Sequence, residues 1–291
     1  MKPAPFEYDD PQTLDESLDL LARHGDDCKV LAGGQSLVPL MNFRLARPAR
    51  LIDINGVESL AYLKNEGGRL VIGAMTRHSE LERSTEIAHR FPLLTEAIGW
   101  VGHSQIRNRG TIGGSVAHAD PAAELPTAFA ALDAVFQVQS KRGVRVLGWR
   151  DFFISHFTTA LAPDELVTAV EVPESSRSTG AAFVEYARRH GDFALGGAAV
   201  TLRVDRDGRC EHATIALLSA GPVPVRAEAA ERQLLGGRLD EASIRAAAAE
   251  AVKDLHPSPD LHGGTEYRVG LLRTMTERGL TKAAARAGEA G

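Results

Sequence analysis

Cysteine is nearly absent from this 291-residue chain, which contains only Cys28 and Cys210. An iron–sulfur cluster or a structural zinc ion is normally held by about four ligands rich in thiolate. No C-x-x-C spacing is present, and the ten histidines form no H-E-x-x-H or comparable metal-binding pattern. We therefore expect no metal site and no iron–sulfur cluster in this chain.

Long apolar runs and blocks of positive charge are also missing. No stretch approaches the roughly 18 consecutive apolar residues of a membrane-spanning helix, and the opening MKPAPFEYDD has prolines and acids where a signal peptide would be apolar. The formal net charge is −5 and no run of Lys or Arg stands out, which argues against a nucleic-acid groove. We expect a cytoplasmic protein with no membrane span and no nucleic-acid partner.

The length and composition predict a globular protein with more than one hydrophobic core. The chain exceeds the usual size of a single-core domain, and its 44% apolar and 24% charged residues are typical of folded proteins. Residues 1–57 are predicted to form a βαβ unit. A helix with a Thr13 and Glu16 capping box and a stop at Gly25 precedes strands at residues 28–32 and 50–54.

The rest of the chain mixes strands and helices without the strict alternation of a doubly wound sheet, which favours an α+β fold. For residues 58–176, strands are predicted at 69–74, 135–140, 144–149 and 165–173, and helices from about 76, at 92–102 and at 125–134. A composition shift at residues 175–180 predicts a linker. Residues 177–291 are predicted to form an antiparallel sheet with a hairpin turn at 205–208, followed by helices.

Two loops carry the strongest candidate for a binding site, AGGQS at residues 32–36 and TIGGS at residues 111–115. A glycine-rich loop between a strand and a helix can aim backbone N–H groups at a phosphate, because no Cβ blocks the approach. Neither loop fits G-x-G-x-x-G or the P-loop pattern. Four other Gly-Gly pairs are present, so phosphate binding and simple tight turns both remain open on the glycines alone.

The sequence around the two loops resembles a known family. The runs LAGGQSLVPLMNFRLARP and IRNRGTIGGSVAHADPAAELP, with IGAMTRH between them, are similar to the FAD-binding medium subunit of molybdenum hydroxylases, the carbon monoxide dehydrogenase and xanthine dehydrogenase type. The resemblance runs from KPAPFEY to HGGTEYRVGLL. It implies two FAD-binding subdomains of the vanillyl-alcohol-oxidase/PCMH type at 1–57 and 58–176, followed by a C-terminal flavoprotein domain at 177–291.

The resemblance also implies which residues hold FAD. The two loops would wrap its pyrophosphate from two sides, the segment after Trp100 would follow the adenosine end, Glu124 would hydrogen-bond the cofactor, and Phe193 would lie against the isoalloxazine ring. The implied cofactor-binding residues are Val30, Leu31, Ala32, Gly33, Gly34, Gln35, Ser36, Leu37, Val101, Gly102, Thr111, Gly113, Gly114, Ser115, Glu124, Val167 and Phe193.

Some of these assignments have a structural alternative. Glu124 precedes a predicted helix and would favour the helix dipole in any case. Phe193 could be a core phenylalanine on a strand. Many relatives have a lysine where this chain has Val184 and Glu185, so a cofactor contact through a cation at that position is in doubt.

The implied role is electron transfer rather than substrate oxidation. In the family a large subunit oxidises the substrate at a molybdenum cofactor, and a small subunit passes the electrons through iron–sulfur clusters to FAD. This chain would then deliver them to an external acceptor, within a heterotrimer or a dimer of heterotrimers, and needs no catalytic acid or base of its own. The alternatives are a self-contained FAD-dependent reductase of the same fold and a non-redox nucleotide-binding assembly module.

Overall fold

The N-terminal unit of this computed structural model, which describes residues 2–174, 176 and 178–289, is a small parallel sheet with two helices. Its strands are β1 (Glu7–Asp9), β2 (Cys28–Leu31) and β3 (Arg50–Asp53), in the order β1-β3-β2, and its helices are α1 (Leu14–His24) and α2 (Leu37–Asn42). Both pairings are parallel. The predicted βαβ arrangement is therefore present.

Helix α1 begins and ends where its sequence signals predict. The Thr13 hydroxyl accepts a hydrogen bond from the Glu16 N–H at 3.2 Å, and the Glu16 carboxylate accepts one from the Thr13 N–H at 3.2 Å. This capping box satisfies two of the free N–H groups at the helix start. Gly25 ends the helix with a positive φ of 48°, and Leu18 and Leu21 are buried against the sheet.

The second unit is a five-stranded antiparallel sheet with helices, in the strand order β4-β5-β10-β6-β7. Its strands are β4 (Leu63–Glu66), β5 (Arg69–Gly73), β6 (Val135–Ser140), β7 (Gly143–Gly148) and β10 (Leu166–Pro173). Strands β8 (Phe153–Ser155) and β9 (Thr158–Thr159) form a separate hairpin. The helices are α3 (His78–Arg83), α4 (Thr85–Arg90), α5 (Pro92–Trp100), α6 (Ser104–Arg107), α7 (Ile112–His118), α8 (Glu124–Ala131) and α9 (Trp149–Phe152).

The start of α3 differs from the prediction by two residues. The sequence predicts a helix from about Thr76, but the Thr76 side chain is fully buried. Its hydroxyl donates to the Tyr62 carbonyl at 2.9 Å and accepts from the Tyr62 N–H at 3.1 Å. Because this contact anchors Thr76 to the preceding segment, the helix begins only at His78.

The third unit is a four-stranded antiparallel sheet with three helices. The strands β11 (Thr179–Tyr186), β12 (Gly196–Val204), β13 (Cys210–Leu218) and β14 (Val225–Arg226) lie in sequence order, and the helices are α10 (Glu228–Leu234), α11 (Glu241–Glu250) and α12 (Thr265–Glu289). Of the linker predicted at 175–180, residues 175 and 177 lie outside the described residues. Its last two residues, Thr179 and Gly180, belong to β11.

The two faces of the third sheet pack in different directions. Ala181, Phe183 and Leu218 belong to the large core that also contains α5 and α8 of the second unit. Ala182 and Val200 face a separate core formed with α10, α11 and α12. The architecture is the predicted α+β fold. Among the described residues, no helix is long and apolar enough to cross a membrane.

Candidate cofactor site

The two Gly-Gly loops lie directly against each other. We define the first loop as residues 32–37, after β2, and the second loop as residues 109–115, before and within the start of α7. A Cβ placed on Gly33 would lie 2.3 Å from the Arg109 carbonyl oxygen, and one placed on Gly114 would lie 3.6 Å from the Ala32 Cβ. The distance of 2.3 Å leaves no room for a side chain at Gly33. The two loops thus form one continuous backbone surface between the first and second units.

The first loop presents free backbone donors. In the described part of the chain, the N–H groups of residues 33–37 have no hydrogen-bond acceptor. The Ser36 hydroxyl makes no capping bond either, and Gln35 and Ser36 are exposed. Gly34 has a positive φ of 71°, a conformation that glycine adopts without strain. A row of unpaired N–H groups on one loop is a ready-made site for an anion such as a phosphate.

The second loop uses its donors within the protein. The N–H of Ile112 donates to the Thr76 carbonyl, that of Gly113 to the Ala74 carbonyl at 2.8 Å, and that of Ser115 to the Thr111 carbonyl at 3.0 Å. The Gly114 N–H donates to the Thr111 hydroxyl at 3.1 Å. The second loop therefore offers hydroxyl groups, mainly that of the half-buried Ser115, rather than the backbone donors expected from its sequence.

A side-chain network connects the first loop to the second. The Asn55 amide donates to the Ala32 carbonyl at 2.8 Å and accepts a hydrogen bond from the Arg77 guanidinium at 2.7 Å. The same guanidinium donates to the Arg109 carbonyl in the second loop. Arg77 is half-buried, and burial together with the charge of Arg109 lowers its pKa. One amide and one guanidinium thus fix the separation of the two loops.

Asp53 and Tyr8 support this network from the N-terminal sheet. Asp53 accepts from the Asn55 N–H at 2.9 Å and from the Tyr8 hydroxyl at 2.7 Å. Burial opposes the negative charge of Asp53, but the hydrogen bonds from Tyr8 and Asn55 outweigh it and hold the pKa of the carboxyl below its usual value. The bond to Asp53 raises the pKa of Tyr8 to about 12. Asp53 is therefore an ionised acceptor that orients Asn55.

His78 supports the second loop from beneath. Its side chain is buried, and its Nε2 lies 3.0 Å from the Thr111 carbonyl oxygen, to which it can donate as the neutral ring. Its backbone N–H donates to the Gly110 carbonyl at 3.0 Å. Burial is the main reason why the pKa of His78 falls to about 4. Neutral His78 is thus the form that fits this position.

The segment at residues 100–102 is fixed by an arginine and meets the third unit. Arg107 donates to the carbonyls of Val101 and Gly102 at 3.1 and 3.2 Å, while it pairs with Glu82 at 2.9 Å. Gly102 has a positive φ of 47°. The Trp100 ring stacks on His190, with ring centroids 5.2 Å apart. The segment therefore lies against the loop that carries Phe193.

Phe193 lies in that loop, between β11 and β12, with 75% of its surface exposed. The alternative of a core phenylalanine on a strand is wrong. The loop is tied to the second unit by Ser219, whose hydroxyl donates to the Ala194 carbonyl at 2.9 Å and whose N–H donates to the Pro121 carbonyl at 3.1 Å. A large aromatic side chain held on an anchored loop but left uncovered is available to a ligand.

Two acidic residues lie near this junction. Glu124 is the first residue of α8 and is partly buried. This position fits both the predicted hydrogen bond to the cofactor and a favourable interaction with the helix dipole. Burial raises its pKa to about 7. Glu185 on β11 is 7% exposed, and neither carboxylate oxygen has a hydrogen-bond partner in the described part of the chain. Burial, with the charge of Glu124 adding to it, raises the pKa of Glu185 to about 9.

Val167 is the one predicted site residue whose side chain lies inside a core. It is 3% exposed on β10 and pairs with Val138 across the sheet, next to a β-bulge. Its contact with a cofactor stays a prediction. Val30 and Leu31, by contrast, are only partly buried at the end of β2, where the first loop begins. Among the described residues, no group of three or more His, Cys, Asp and Glu side chains is placed to hold a metal ion.

The residues that position the loops are not among those predicted from the sequence. Asn55, Arg77, His78, Arg107 and Ser219 bind backbone carbonyls at the site rather than a ligand. Arg77, His78 and Arg107 lie within the motifs IGAMTRH and IRNRG, so those motifs held the signal. No sequence signal marks Asn55 or Ser219, because their hydrogen-bond partners are distant in sequence.

Comparison with known proteins places this geometry among flavoproteins. A family described as "FAD binding domain in molybdopterin dehydrogenase" matches residues 4–175, and "CO dehydrogenase flavoprotein C-terminal domain" matches residues 181–283. The chain is 47% identical over 287 residues to the 6-hydroxypseudooxynicotine dehydrogenase complex subunit alpha of Paenarthrobacter nicotinovorans, covering 99% of this chain and 97% of that protein.

Two further similarities concern carbon monoxide dehydrogenase. The chain is 37% identical over 286 residues to the medium chain of this enzyme from Hydrogenophaga pseudoflava, covering 98% of this chain and 99% of that one. A solved structure of carbon monoxide dehydrogenase from the same organism, lacking the Mo-pyranopterin moiety of the molybdenum cofactor, superimposes with a TM-score of 0.95 at 39% identity. That match covers 98% of this chain and 99% of the other.

Proposed function

This chain belongs to the family of FAD-binding medium subunits of molybdenum hydroxylases, and from that premise we propose that it binds FAD across the junction of its two loops and relays electrons. It is an oxidoreductase flavoprotein subunit of a multi-subunit molybdenum dehydrogenase. The observation that carries the proposed cofactor site is the row of N–H groups at residues 33–37 that find no acceptor among the described residues. Fixed N–H dipoles can replace the hydration of a pyrophosphate without a lysine.

The residues present fit the cofactor at several points. The first loop and the hydroxyls of Ser36, Thr111 and Ser115 would hold the pyrophosphate. The uncovered Phe193 side chain would pack against the flavin ring, and Glu124 would accept a hydrogen bond from the cofactor. These residues lie on the first loop, on the second loop and α8, and on the loop between β11 and β12, so the proposed site would be shared by all three units.

Bound FAD supplies the electron-accepting and electron-donating chemistry of the subunit. We assign this chain the tasks of binding, orienting and shielding the cofactor, and no catalytic residue of its own. Its proposed partners are a large subunit with the molybdenum cofactor and a small subunit with iron–sulfur clusters, in a heterotrimer or a dimer of heterotrimers. An external acceptor such as NAD, a quinone or oxygen would take the electrons.

The visible spectrum of the purified chain tests cofactor binding. We expect flavin absorption bands after purification or after reconstitution with FAD. If no FAD binds under either condition, the proposed cofactor site is wrong and the chain is an assembly module.

Purification of the complex and turnover by the isolated chain test the relay. We expect molybdenum-containing and iron-containing subunits to co-purify with this chain from its native host. We also expect the isolated, FAD-loaded chain to be unable to reduce a small substrate with NAD(P)H at an enzymatic rate. Efficient turnover by the isolated chain would instead identify a self-contained reductase.

A further inference from the structure

The segment HGGTEYRVGLL, residues 262–272, has no task in the proposed relay. It covers the turn before α12 and the start of that helix, and its Arg268 is buried. The guanidinium binds two separate parts of the chain, since Nη1 donates to the Leu195 carbonyl at 3.0 Å and Nη2 pairs with Asp260 at 2.6 Å. We define the β11–β12 loop as residues 187–195. Arg268 thus joins the start of α12 to the end of this loop.

The β11–β12 loop holds Phe193 through the backbone that follows it. The Phe193 side chain is mostly exposed, so little packing fixes its direction. The next two residues are each held at their carbonyl by a side chain from outside the loop. The Ala194 carbonyl accepts from the Ser219 hydroxyl at 2.9 Å, and the Leu195 carbonyl accepts from Arg268. The direction of Phe193 therefore depends on these two anchors.

Asp260 orients the guanidinium of Arg268. Its carboxylate also accepts a hydrogen bond from the His262 N–H at 2.8 Å. The bonds from Arg268 and His262 hold the pKa of Asp260 below its usual value, so the carboxyl is ionised at neutral pH. Because a guanidinium is planar and rigid, a carboxylate that holds Nη2 also fixes the direction of Nη1. The ion pair thus aims one N–H of Arg268 at the Leu195 carbonyl.

Helix α12 carries a second arginine with the same pattern of contacts. Arg286 donates to the Ala181 carbonyl of β11 and pairs with Glu96 on α5 at 2.6 Å. Ala181 lies near the start of β11, whereas the β11–β12 loop follows the last residue of that strand. The two arginines therefore tie α12 to the third sheet at opposite ends of β11, and of the two it is Arg268 that reaches the loop carrying Phe193.

We propose that Arg268, held by Asp260, is a positioning residue that keeps Phe193 where it meets the flavin ring. This inference rests on the proposed binding of FAD. Arg268 fixes the backbone two residues after Phe193, and thereby the direction of a side chain that has little packing of its own. Since Arg268 is itself buried, its effect on FAD affinity passes through Phe193 rather than through a contact with the cofactor.

A double-mutant cycle on the FAD affinity of the full chain tests this route, with Kd measured from the change in flavin fluorescence on binding. Arg268→Met removes both polar contacts, and we expect it to raise Kd by about three- to tenfold. In the Phe193→Ala background the same substitution should change Kd by less than about twofold, because the side chain that Arg268 positions is gone. If the two effects multiply in the double variant, Arg268 acts by another route and the inference is wrong.

Arg286→Met is the matched control, because it removes an arginine of α12 that also binds a carboxylate and a carbonyl of the third unit's outer strand. It should leave Kd within about twofold of the wild-type value. At saturating FAD, R268M and F193A should alter the visible circular dichroism of the bound flavin in the same direction, whereas R286M should keep the wild-type spectrum. If R286M raises Kd as much as R268M does, loosening of α12 explains the effect and the positioning role is overturned.

Arg268→Lys serves if R268M does not fold. Lysine keeps a cation for Asp260 but lacks the fork that reaches two partners at once, so R268K should also raise Kd by at least about threefold, and by less than about twofold in the F193A background. An unchanged Kd for R268K overturns the inference. Absence of any FAD binding by the wild-type chain refutes the proposed function, whereas FAD binding that F193A weakens and the Arg268 variants do not refutes only the positioning role.

Discussion

Polar side chains, rather than glycines alone, hold the candidate site in shape. Asn55 and Arg77 connect the two loops, and His78 holds the Thr111 carbonyl. Asn55 and Arg77 bind the Ala32 and Arg109 carbonyls, for which the described part of the chain offers no other donor, whereas His78 adds a second donor to the Thr111 carbonyl, which also accepts from the Ser115 N–H. Leaving a carbonyl away from water without a donor is costly. Their substitution should therefore change the shape of the site even though none is expected to touch the cofactor.

His78 makes the stability of the protein depend on pH. The folded protein keeps it neutral down to a pKa of about 4, whereas in the unfolded chain it binds a proton near 6.5. Because the unfolded state binds more protons between these values, stability is lost as the pH falls from about 6.5 towards 4, by up to about 1.4 kcal/mol per pH unit.

The variant His78→Gln should remove that dependence while its amide still donates to Thr111. Urea unfolding at pH 6.5 and 5.5 should show a smaller loss of stability for H78Q than for wild type, by up to about 1.4 kcal/mol. The exposed His89→Gln serves as the control and should behave like wild type. Equal losses for H78Q and wild type would contradict the role of buried His78.

Phe193 offers a test of ligand contact that does not disturb the fold. Its side chain is 75% exposed, so Phe193→Ala should change the unfolding free energy of the apoprotein by less than about 0.5 kcal/mol. If the ring packs against the flavin, the same change should weaken FAD binding by about tenfold, which corresponds to about 1.4 kcal/mol of lost contact. The control is Leu235→Ala, because Leu235 is also an exposed apolar residue and directly follows α10. Unchanged Kd for F193A would exclude the contact.

At the scale of elements, the glycines allow backbone to approach backbone. From the sequence, Gly33 and Gly113 are expected to lie next to phosphate, but a Cβ on Gly33 would collide with the Arg109 carbonyl, and one on Gly113 would lie 2.6 Å from the Ala74 Cβ. The glycines therefore set the packing of the two loops first. Any effect of their substitution on FAD follows from that packing.

Gly33→Ala should separate the two loops. Because the carbonyl it meets belongs to the backbone and cannot rotate away, we expect a loss of roughly 2–4 kcal/mol in unfolding free energy together with the loss of FAD binding. The matched control is Gly270→Ala, an exposed position on α12 with nothing within 4 Å of the new Cβ, which should gain about 1 kcal/mol. A G33A protein as stable as wild type would show that the loops can part without cost.

Local signals predict the limits of several elements. The capping box and Gly25 predict α1, and the strand at 50–54 and the hairpin of β6 and β7 match the structure closely. Each of these signals lies within the element or next to it. The two loops that carry predicted site residues also lie together in the structure. Those residues could be predicted because the motifs that contain them are long and specific.

The pairing of strands that are distant in sequence could not be predicted. In the sheet β10 lies between β5 and β6, although it follows both in the chain, and no local sequence pattern specifies that position. The Asn55 and Arg77 link and the burial of Glu185 depend on which faces meet after folding. The free donors of the first loop and the occupied donors of the second are likewise decided by neighbours such as Ala74 and Thr76, which are distant in sequence.

At the scale of the whole molecule, a buried ion pair joins the third unit to the second. The side chain of Arg226 on β14 is 7% exposed, pairs with Glu231 at 2.6 Å and Asp133 at 2.9 Å, and donates to the Ala130 carbonyl at 3.0 Å. These contacts run from the third sheet to the end of α8. Because α8 begins at Glu124, the same helix links this ion pair to the proposed cofactor site.

Arg226→Met should weaken the joint between the units. Loss of one partner leaves Glu231 buried without its cation, which typically costs about 3–5 kcal/mol, and the double variant with Glu231→Gln should recover part of it. Urea unfolding measures both. The exposed pair of Arg203 and Glu211, 2.7 Å apart, is the comparison, and Arg203→Met should cost less than about 1 kcal/mol. Equal costs for R226M and R203M would show that the joint adds no special stability.

The unequal use of donors in the two loops bears on when a cofactor would enter the proposed site. The second loop closes its own hydrogen bonds with Ala74, Thr76 and Thr111, so it holds its shape before any ligand arrives. The first loop leaves its N–H groups to water until an anion replaces it. If FAD binds at the first loop as proposed, its insertion would follow the folding of the polypeptide as a separate, later event, and the stabilisation it brings would grow with the supply of FAD in the cell.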